Sequence, residues 1–406
     1  MGRTRRHLAW LLSTSLLLAC SAEPTSDETG PAENSVNADA STDDASAATQ
    51  AGPPYAIGTT TIKTIGANGR ELPTDLWYPI KTGSSGAPAK YFLGLLTSPF
   101  GAIRDADPFG GPFPLVAFSH GHSGVRDQSV FLVEYLARWG YVVVSPEHIG
   151  NSFPTMKDEW NEVMTLWRPQ DLKAAIDRVV KPGPTGPTWL DGLIDASRIA
   201  TIGHSFGGYT ALALAGLPVH KPAGVKIDCD ADKDSLVCKE IAKLGPAPWD
   251  FGDDRIDMVI PLAHALYGNG ALSKTTAKGY KKPVIVMAAS GDTTTPYKTE
   301  AVPLYSDVPG PAALLTIKGG SHFSFADICH ILAFAPSQFK ASMDAACGPK
   351  ANPTQSQSHE IIRKYVRAAL DVYLKDDDEQ RAAFADGQSA DGLYTMASKG
   401  IFGANK

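Results

Sequence analysis

Two kinds of apolar run alternate along this chain. Short continuous ones read as strands buried on both faces: "PLVAFSH" (114–120), "YVVVSPE" (141–147), "RIATIG" (198–203), "IDMVIPL" (256–262), "PVIVMAAS" (283–290) and, last, "AALLTIKG" (312–319). Between them lie helix-period segments. "SVFLVEYLARWG" (129–140) is closed by Gly140, and "PQDLKAAIDRVV" (169–180) sets Leu172, Ile176 and Val179 on one face. "SFGGYTALALAG" (205–216) and a final "SHEIIRKYVRAALDVYL" (358–374) complete the helices. Ahead of all this, "TTTIKTI" and "LPTDLWYPI" read as antiparallel lead strands. The alternation predicts an α/β fold with a mostly parallel sheet covered by helices on both faces. Residues 217–250 break the pattern with Pro, Gly, Asp and a close cysteine pair. They are expected to form a small insertion over the sheet's edge, or a cap. No repeat and no second domain is visible, so one domain is expected over 55–406.

The start of the chain belongs to a different class of segment. Arg3, Arg5 and Arg6 precede a short apolar stretch, Leu8 to Leu18, too short for a permanent membrane span. It reads as an export signal covering residues 1–19. "LLAC" before Ser21 resembles a bacterial lipobox, which implies that Cys20 is the lipidated N-terminus. Residues 20–54 lack large apolar groups and cannot offset their ordering entropy by burial, so they are expected to be a disordered tether. The expected location is a bacterial outer-membrane or cell-surface lipoprotein, or a periplasmic or secreted protein. Four more cysteines in an exported chain favour disulfides, and proximity alone pairs Cys229 with Cys238 and Cys329 with Cys347. The net charge of −6 and the lack of a basic stripe argue against a nucleic-acid partner.

The chemistry sits in "GHSFGG" (203–208), between a strand and a helix. A serine there is held on a sharp turn whose neighbours must be small, which lifts its hydroxyl above the carboxyl edge of the sheet. Ser205 is the candidate nucleophile. It needs a base, and His322 in the glycine-loosened "IKGGSHFSF" follows the last strand. Asp292, ending "PVIVMAAS" in "GDTTTP", is the candidate acid that orients the imidazole. Asp327 lies only five residues from His322, and Asp257 starts a strand at the wrong edge, so both rank lower. The oxyanion needs two backbone donors, assigned to the N–H groups of Phe206 and of His122 in "SHGHSGVR". His120, His122, His148 and His204 lack the spacing of a metal site, so no metal and no cofactor is expected. Tyr209, Phe323 and Phe325 are candidates for an apolar acyl pocket. "TTTPY" and the 217–250 insertion are expected to rim it.

These motifs resemble the α/β-hydrolase superfamily. Within it, "ELPTDLWYP", "PLVAFSHGHSGVRDQSVFLVEYLARWGYVVVSPEH", "RPQDLKAAIDRVV", "IGHSFGGYTAL" and "IKGGSHFSFAD" are similar to the platelet-activating-factor acetylhydrolase and predicted dienelactone hydrolase branch. The resemblance implies a Ser205 nucleophile, a His322 base and an oxyanion hole at His122 and Phe206. One departure stands out: Ala263 and His264 occupy the strand end where acetylhydrolases carry their aspartate, so Asp292 takes that role one strand later. The expected activity is hydrolysis of short-to-medium acyl esters through an acyl-enzyme. Phospholipid sn-2 acetyl hydrolysis, polyester hydrolysis and, from other classes, amide hydrolysis or non-catalytic surface binding are the alternatives. The expected partners are a small or polymeric ester and a membrane holding the lipid anchor, with the protein itself monomeric.

Overall fold

The computed structural model describes residues 52–183, 186–221, 227–272, 274–329 and 337–401. The expected signal peptide, the Cys20 lipidation site and most of the tether lie outside the described residues. Among the described residues, no helix is long and apolar enough to cross a membrane.

The strands are β1 (Ala56–Ile65), β2 (Glu71–Ile80), β3 (Lys90–Tyr91), β4 (Leu96–Thr97), β5 (Ile103–Arg104), β6 (Phe113–Ser119), β7 (Val142–Pro146), β8 (Ile194–His204), β9 (Ile256–Leu262), β10 (Val284–Ala289), β11 (Ala312–Ile317), β12 (Gly387–Gln388) and β13 (Tyr394–Lys399). The helices are α1 (Val130–Arg138), α2 (Asn161–Val180), α3 (Phe206–Leu214), α4 (Leu236–Leu244), α5 (Lys274–Ala277), α6 (Ala301–Asp307), α7 (Ser337–Cys347) and α8 (Gln355–Leu374). Eleven strands form one sheet in the order β12-β13-β11-β10-β9-β8-β6-β7-β2-β1-β5. Its centre, from β7 through β11, is parallel, while β2 and β13 join it antiparallel. This is the α/β-hydrolase architecture: a mostly parallel sheet between two helical layers.

Burial explains the arrangement. Every residue of β6, β7, β10 and β11 is buried, as continuous apolar runs require. One core packs α2, α3 and α6 against one face of the sheet, with Leu166, Tyr209 and Leu304 among its members. The second packs α1 and α8 on the other face, with Leu132, Val366 and Phe325. The chain runs from β6 out to β7, then crosses back to place β8 on the other side of β6. Loops leaving β6 and β8 therefore diverge at their carboxyl ends and open the crevice where ligands bind in such sheets.

Three features depart from the sequence expectation. The helix over "PQDLKAAIDRVV" begins earlier, at Asn161, and carries Pro169 inside it. The sheet does not end at β11: β13 pairs antiparallel with it from Ala312↔Lys399 to Ile317↔Tyr394. The 217–250 insertion is rooted at the amino edge of the sheet. Helix α3 starts at Ser205 on the carboxyl edge and runs back about 14 Å at 1.5 Å per residue. It ends at Leu214, whose carbonyl accepts from Asp253 N–H at 2.9 Å just before β9 begins. The insertion thus leaves and rejoins the fold at the amino edge. Val219 and Trp249 close its neck by mutual hydrogen bonds of 2.7 and 2.8 Å, and its body reaches back along α2, where Leu236, Lys239 and Lys243 share a cleft with Trp167 and with Asn68 of the β1–β2 turn. Its helix α4 rests on α2, with Gln170 Nε2 at 3.5 Å from Glu240 Oε1. The Cys229–Cys238 disulfide lies within it, and a second disulfide joins Cys329 to Cys347 at the end of α7.

Candidate active site

Ser205 caps α3 with φ 58° and ψ −120°, a strained conformation for a residue with a Cβ. The strain is imposed by close packing. A methyl group on Gly203 would overlap the Gly207 carbonyl, and one on Gly207 would overlap the Ser119 carbonyl at the end of β6. The two glycines let β8, α3 and β6 approach until the serine is pushed out at the crest of the turn. Its backbone is fixed by Ser205 N–H to Leu262 O at 2.9 Å, and its carbonyl accepts from Gly208 N–H at 2.9 Å.

His322 is buried in a short helical turn after β11, in a loop freed by Gly319 and Gly320. Its Nδ1 donates to Asp292 Oδ2 at 2.8 Å. The other carboxylate oxygen accepts two N–H groups, from Thr294 at 2.8 Å and Thr295 at 2.9 Å. Burial alone raises a carboxyl pKa; here the His322 imidazole and these hydrogen bonds outweigh it and hold Asp292 below its usual range. "TTTPY" therefore serves the carboxylate, while Thr293, Thr294 and Pro296 are exposed beside it. Thr295 is buried, and its hydroxyl lies 2.8 Å from Asp292 Oδ2, 2.9 Å from Ala263 O and 3.2 Å from His322 Nδ1. Ala263, in the position of the missing acid, contributes its carbonyl to this anchor. Within the described residues neither the Ser205 hydroxyl nor His322 Nε2 makes a hydrogen bond. Such contacts are often long in unliganded sites and tighten with substrate.

The rival acids are engaged elsewhere. Asp327 Oδ2 accepts from Phe131 N–H at 2.7 Å, and Asp257 Oδ2 accepts from Ile199 N–H at 2.8 Å. Burial pushes the Asp327 pKa up to about 7 from 3.8. Between those two values the unfolded chain has released this proton and the folded one has kept it, so stability falls as pH rises through that window. Asp327→Asn removes the effect. Relative to wild type it is expected to be neutral near pH 4 and to gain on the order of 2 kcal/mol by pH 7.5, then plateau. Urea midpoints of both proteins across this range check it; a constant difference would mean that the carboxyl does not titrate there.

Neither the His122 nor the Phe206 N–H donates to an acceptor among the described residues, although the neighbouring Gly121 and Ser123 N–H groups do. His122 is exposed, yet crowding by protein and the Arg168 charge lower its imidazole pKa, and Asn151 Nδ2 donates to its Nδ1 at 2.9 Å. Behind this turn stands Arg168, fully buried on α2. It donates to Asn151 Oδ1 at 2.7 Å, to Ser119 Oγ at 3.1 Å and to the His120 carbonyl. Its guanidinium carbon is 4.6 Å from the Phe206 ring centre. Burial drives the Arg168 pKa down to about 9.

His120 and His148 are held by their neighbours. His120 Nδ1 donates to Gly121 O at 2.7 Å, and its Nε2 accepts from His148 N–H at 3.0 Å. His148 Nδ1 donates to Asp171 Oδ2 at 3.0 Å, and its Nε2 accepts from Ser119 Oγ at 2.9 Å. All four ring nitrogens are taken. Among the described residues no group of three or more His, Cys, Asp or Glu side chains is arranged to hold a metal.

Two of the three expected pocket residues are not at the crevice. Tyr209 is fully buried against α2, its hydroxyl donating to Thr165 O at 2.9 Å. Phe325 is fully buried in the α1–α8 core. Phe323, half-buried, stands edge-on to His322 at 5.4 Å. Phe153 was not anticipated. It is 67% exposed, and its N–H donates to Gly124 O in the turn that carries His122. Gln128, Asn151, Arg168 and Thr295 were missed as well. An arginine in the middle of an otherwise core-facing helix was the one signal available for Arg168.

A family model described as chlorophyllase matches residues 105–228. Cutinase est2 of Thermobifida alba is 23% identical over 255 residues, covering 58% of this chain and 67% of that protein. Cutinase 1 of Thermobifida cellulosilytica is 23% identical over 259 residues, covering 62% and 77%. A ferulic acid esterase from Streptomyces cinnamoneus superposes with a TM-score of 0.54 at 23% identity, covering 81% of this chain and 93% of its own. The chain has the α/β-hydrolase fold, with cutinase- and esterase-like homologues. It is a carboxylic ester hydrolase.

Proposed function

We propose that Ser205, His322 and Asp292 act as a catalytic triad that cleaves carboxylic esters of short-to-medium acyl chains through an acyl-enzyme. The observation that carries this is the buried His322–Asp292 pair, 2.8 Å apart, whose loop is joined to the turn of the strained Ser205 by His204 Nε2, 3.0 Å from His322 O. Ser205 Oγ attacks the ester carbonyl as His322 Nε2 takes its proton. The tetrahedral oxyanion is met by the N–H groups of His122 and Phe206, both without a protein acceptor. His322 then protonates the departing alcohol, and water repeats the cycle on the acyl-enzyme. No step requires a cofactor. The curated relatives and the likeness to an esterase favour esters, polymeric ones included, over amides. They also fit an exported enzyme acting outside the cytoplasm.

Substrate length follows from what lies near the crevice. Among its described residues the insertion holds one helix, α4, whose nine residues are short for an interfacial lid. On this reading the crevice is open, and acyl chains of about two to eight carbons are preferred, without a jump in rate at micelle formation. A closed apolar tunnel would gain about 0.8 kcal/mol per buried CH₂. An open crevice stops gaining early. Rates on p-nitrophenyl esters from two to sixteen carbons test this. A steady rise to sixteen carbons with interfacial activation would refute it, and a peak confined to two carbons would favour the sn-2 acetyl alternative. Fluorophosphonate labelling followed by peptide mapping tests the assignment of the nucleophile.

A further inference from the structure

Gln128 sits between β6 and α1 and is 4% exposed. Its Oε1 accepts the Gly121 N–H at 2.9 Å, in the turn that carries the His122 donor. Its Nε2 donates to Nδ1 of His204, the residue before Ser205, at 3.0 Å. His204 continues the chain, with Nε2 at 3.0 Å from the carbonyl oxygen of His322. The main-chain carbonyl of Gln128 accepts from Asp327 N–H at 2.7 Å, in the loop that follows His322. The oxyanion turn, the nucleophile elbow and the base loop thus meet on one side chain.

The direction of each bond is forced. A carbonyl only accepts, so His204 Nε2 carries the proton toward His322. A neutral imidazole then offers Nδ1 as an acceptor, and the Gln128 amide must turn its NH₂ to it. That leaves Oε1 for the Gly121 N–H. The reversed amide would set oxygen against a lone pair and NH₂ against N–H. Burial, with His322 adding to it, lowers the His204 pKa to about 3, so the ring stays neutral at any working pH. The turn has little slack beside the amide: a methyl group at Gly124 would overlap Gln128 Oε1.

We infer that Gln128 is a positioning residue that sets the oxyanion turn and the base loop against the nucleophile elbow. The inference rests on the triad proposed above. Gln128 touches no reacting atom; it acts through Gly121, His204 and His322. An apolar side chain of the same length would leave a buried N–H and a buried ring nitrogen unpaired, and both loops would relax from the geometry that the tetrahedral intermediate needs.

The test uses the full chain, p-nitrophenyl butyrate and two substitutions. Gln128→Met is expected to lower kcat about 10- to 100-fold at all pH values, with KM changed less than about 3-fold, and to slow fluorophosphonate labelling in parallel. Gln128→Glu reads the bond directions. A neutral glutamic acid accepts from Gly121 N–H and donates to His204 Nδ1, as the amide does. An ionised one faces the Nδ1 lone pair. The ratio of its kcat to that of wild type is therefore expected to be near one at pH 6 and to fall tenfold or more by pH 8.5. His322 and Asp292 lie beyond His204, and Asp127 and Asp327 flank the Gln128 backbone; taking the ratio to wild type at each pH removes their titration. Undiminished kcat in Gln128→Met, or a loss confined to KM, would overturn the inference. Should Gln128→Met fail to fold, a pH-independent ratio for Gln128→Glu would overturn it alone. Wild-type enzyme labelled at a residue other than Ser205 would instead bring down the triad beneath it, a result distinct from either.

Discussion

Replacement of Ser205 by alanine is expected to lower kcat on p-nitrophenyl butyrate by about 10⁴-fold or more while leaving the fold intact. Alanine removes one oxygen from a side chain that makes no hydrogen bond within the described residues, so no partner is stranded. It also tolerates the strained φ of 58° no worse than serine does. The His322–Asp292 pair and the backbone donors survive in the variant, and binding survives with them. The expected signature is a collapsed kcat with KM nearly unchanged, loss of fluorophosphonate labelling, and an unshifted melting temperature. Retained turnover in well-purified Ser205→Ala protein would mean that another nucleophile does the work.

The second large effect belongs to Asp292. Asp292→Asn is expected to cut kcat at least about 100-fold, and the hydrogen bonds explain why. Two N–H groups, from Thr294 and Thr295, already converge on Asp292 Oδ1. An asparagine will present its oxygen to them and its NH₂ to His322. The imidazole must then accept at Nδ1 and carry its proton on Nε2, where it cannot take the serine proton. Asp327→Asn leaves this pair untouched and is expected to change kcat by less than about 3-fold, because Asp327 bonds to Phe131 N–H rather than to His322. Reversed effects of the two substitutions would move the acid into the base's own loop.

The central strands and the elbow were legible because the chemistry behind them is local. A strand buried on both faces must be apolar throughout, and a strained serine between close-packed elements must have glycines two residues away on either side. β13 was not legible. "YTMASK" buries only Met396, and one buried residue in six carries no period. Tyr209 misled for the opposite reason: every residue of α3 is buried, so nothing in "FGGYTALAL" distinguishes the side facing the crevice from the side facing α2. Gln128 was invisible because its side chain reaches His204, 76 positions away, and its carbonyl reaches Asp327, further still. Its own neighbourhood, "VRDQSV", reads as an ordinary approach to a helix. The root of the insertion was in principle deducible: a helix that starts at the carboxyl edge must deliver the following residue to the amino edge. How far 217–250 reaches back along α2 was not, because its contacts with Trp167 and Asn68 span many positions.

The insertion also offers a handle. Lys233, Lys239 and Lys243 are exposed on it and line one cleft with Asn68 and Trp167. Amine coupling there would hold the enzyme to a bead or film through a single patch, and the Cys229–Cys238 bond would keep that patch from peeling away.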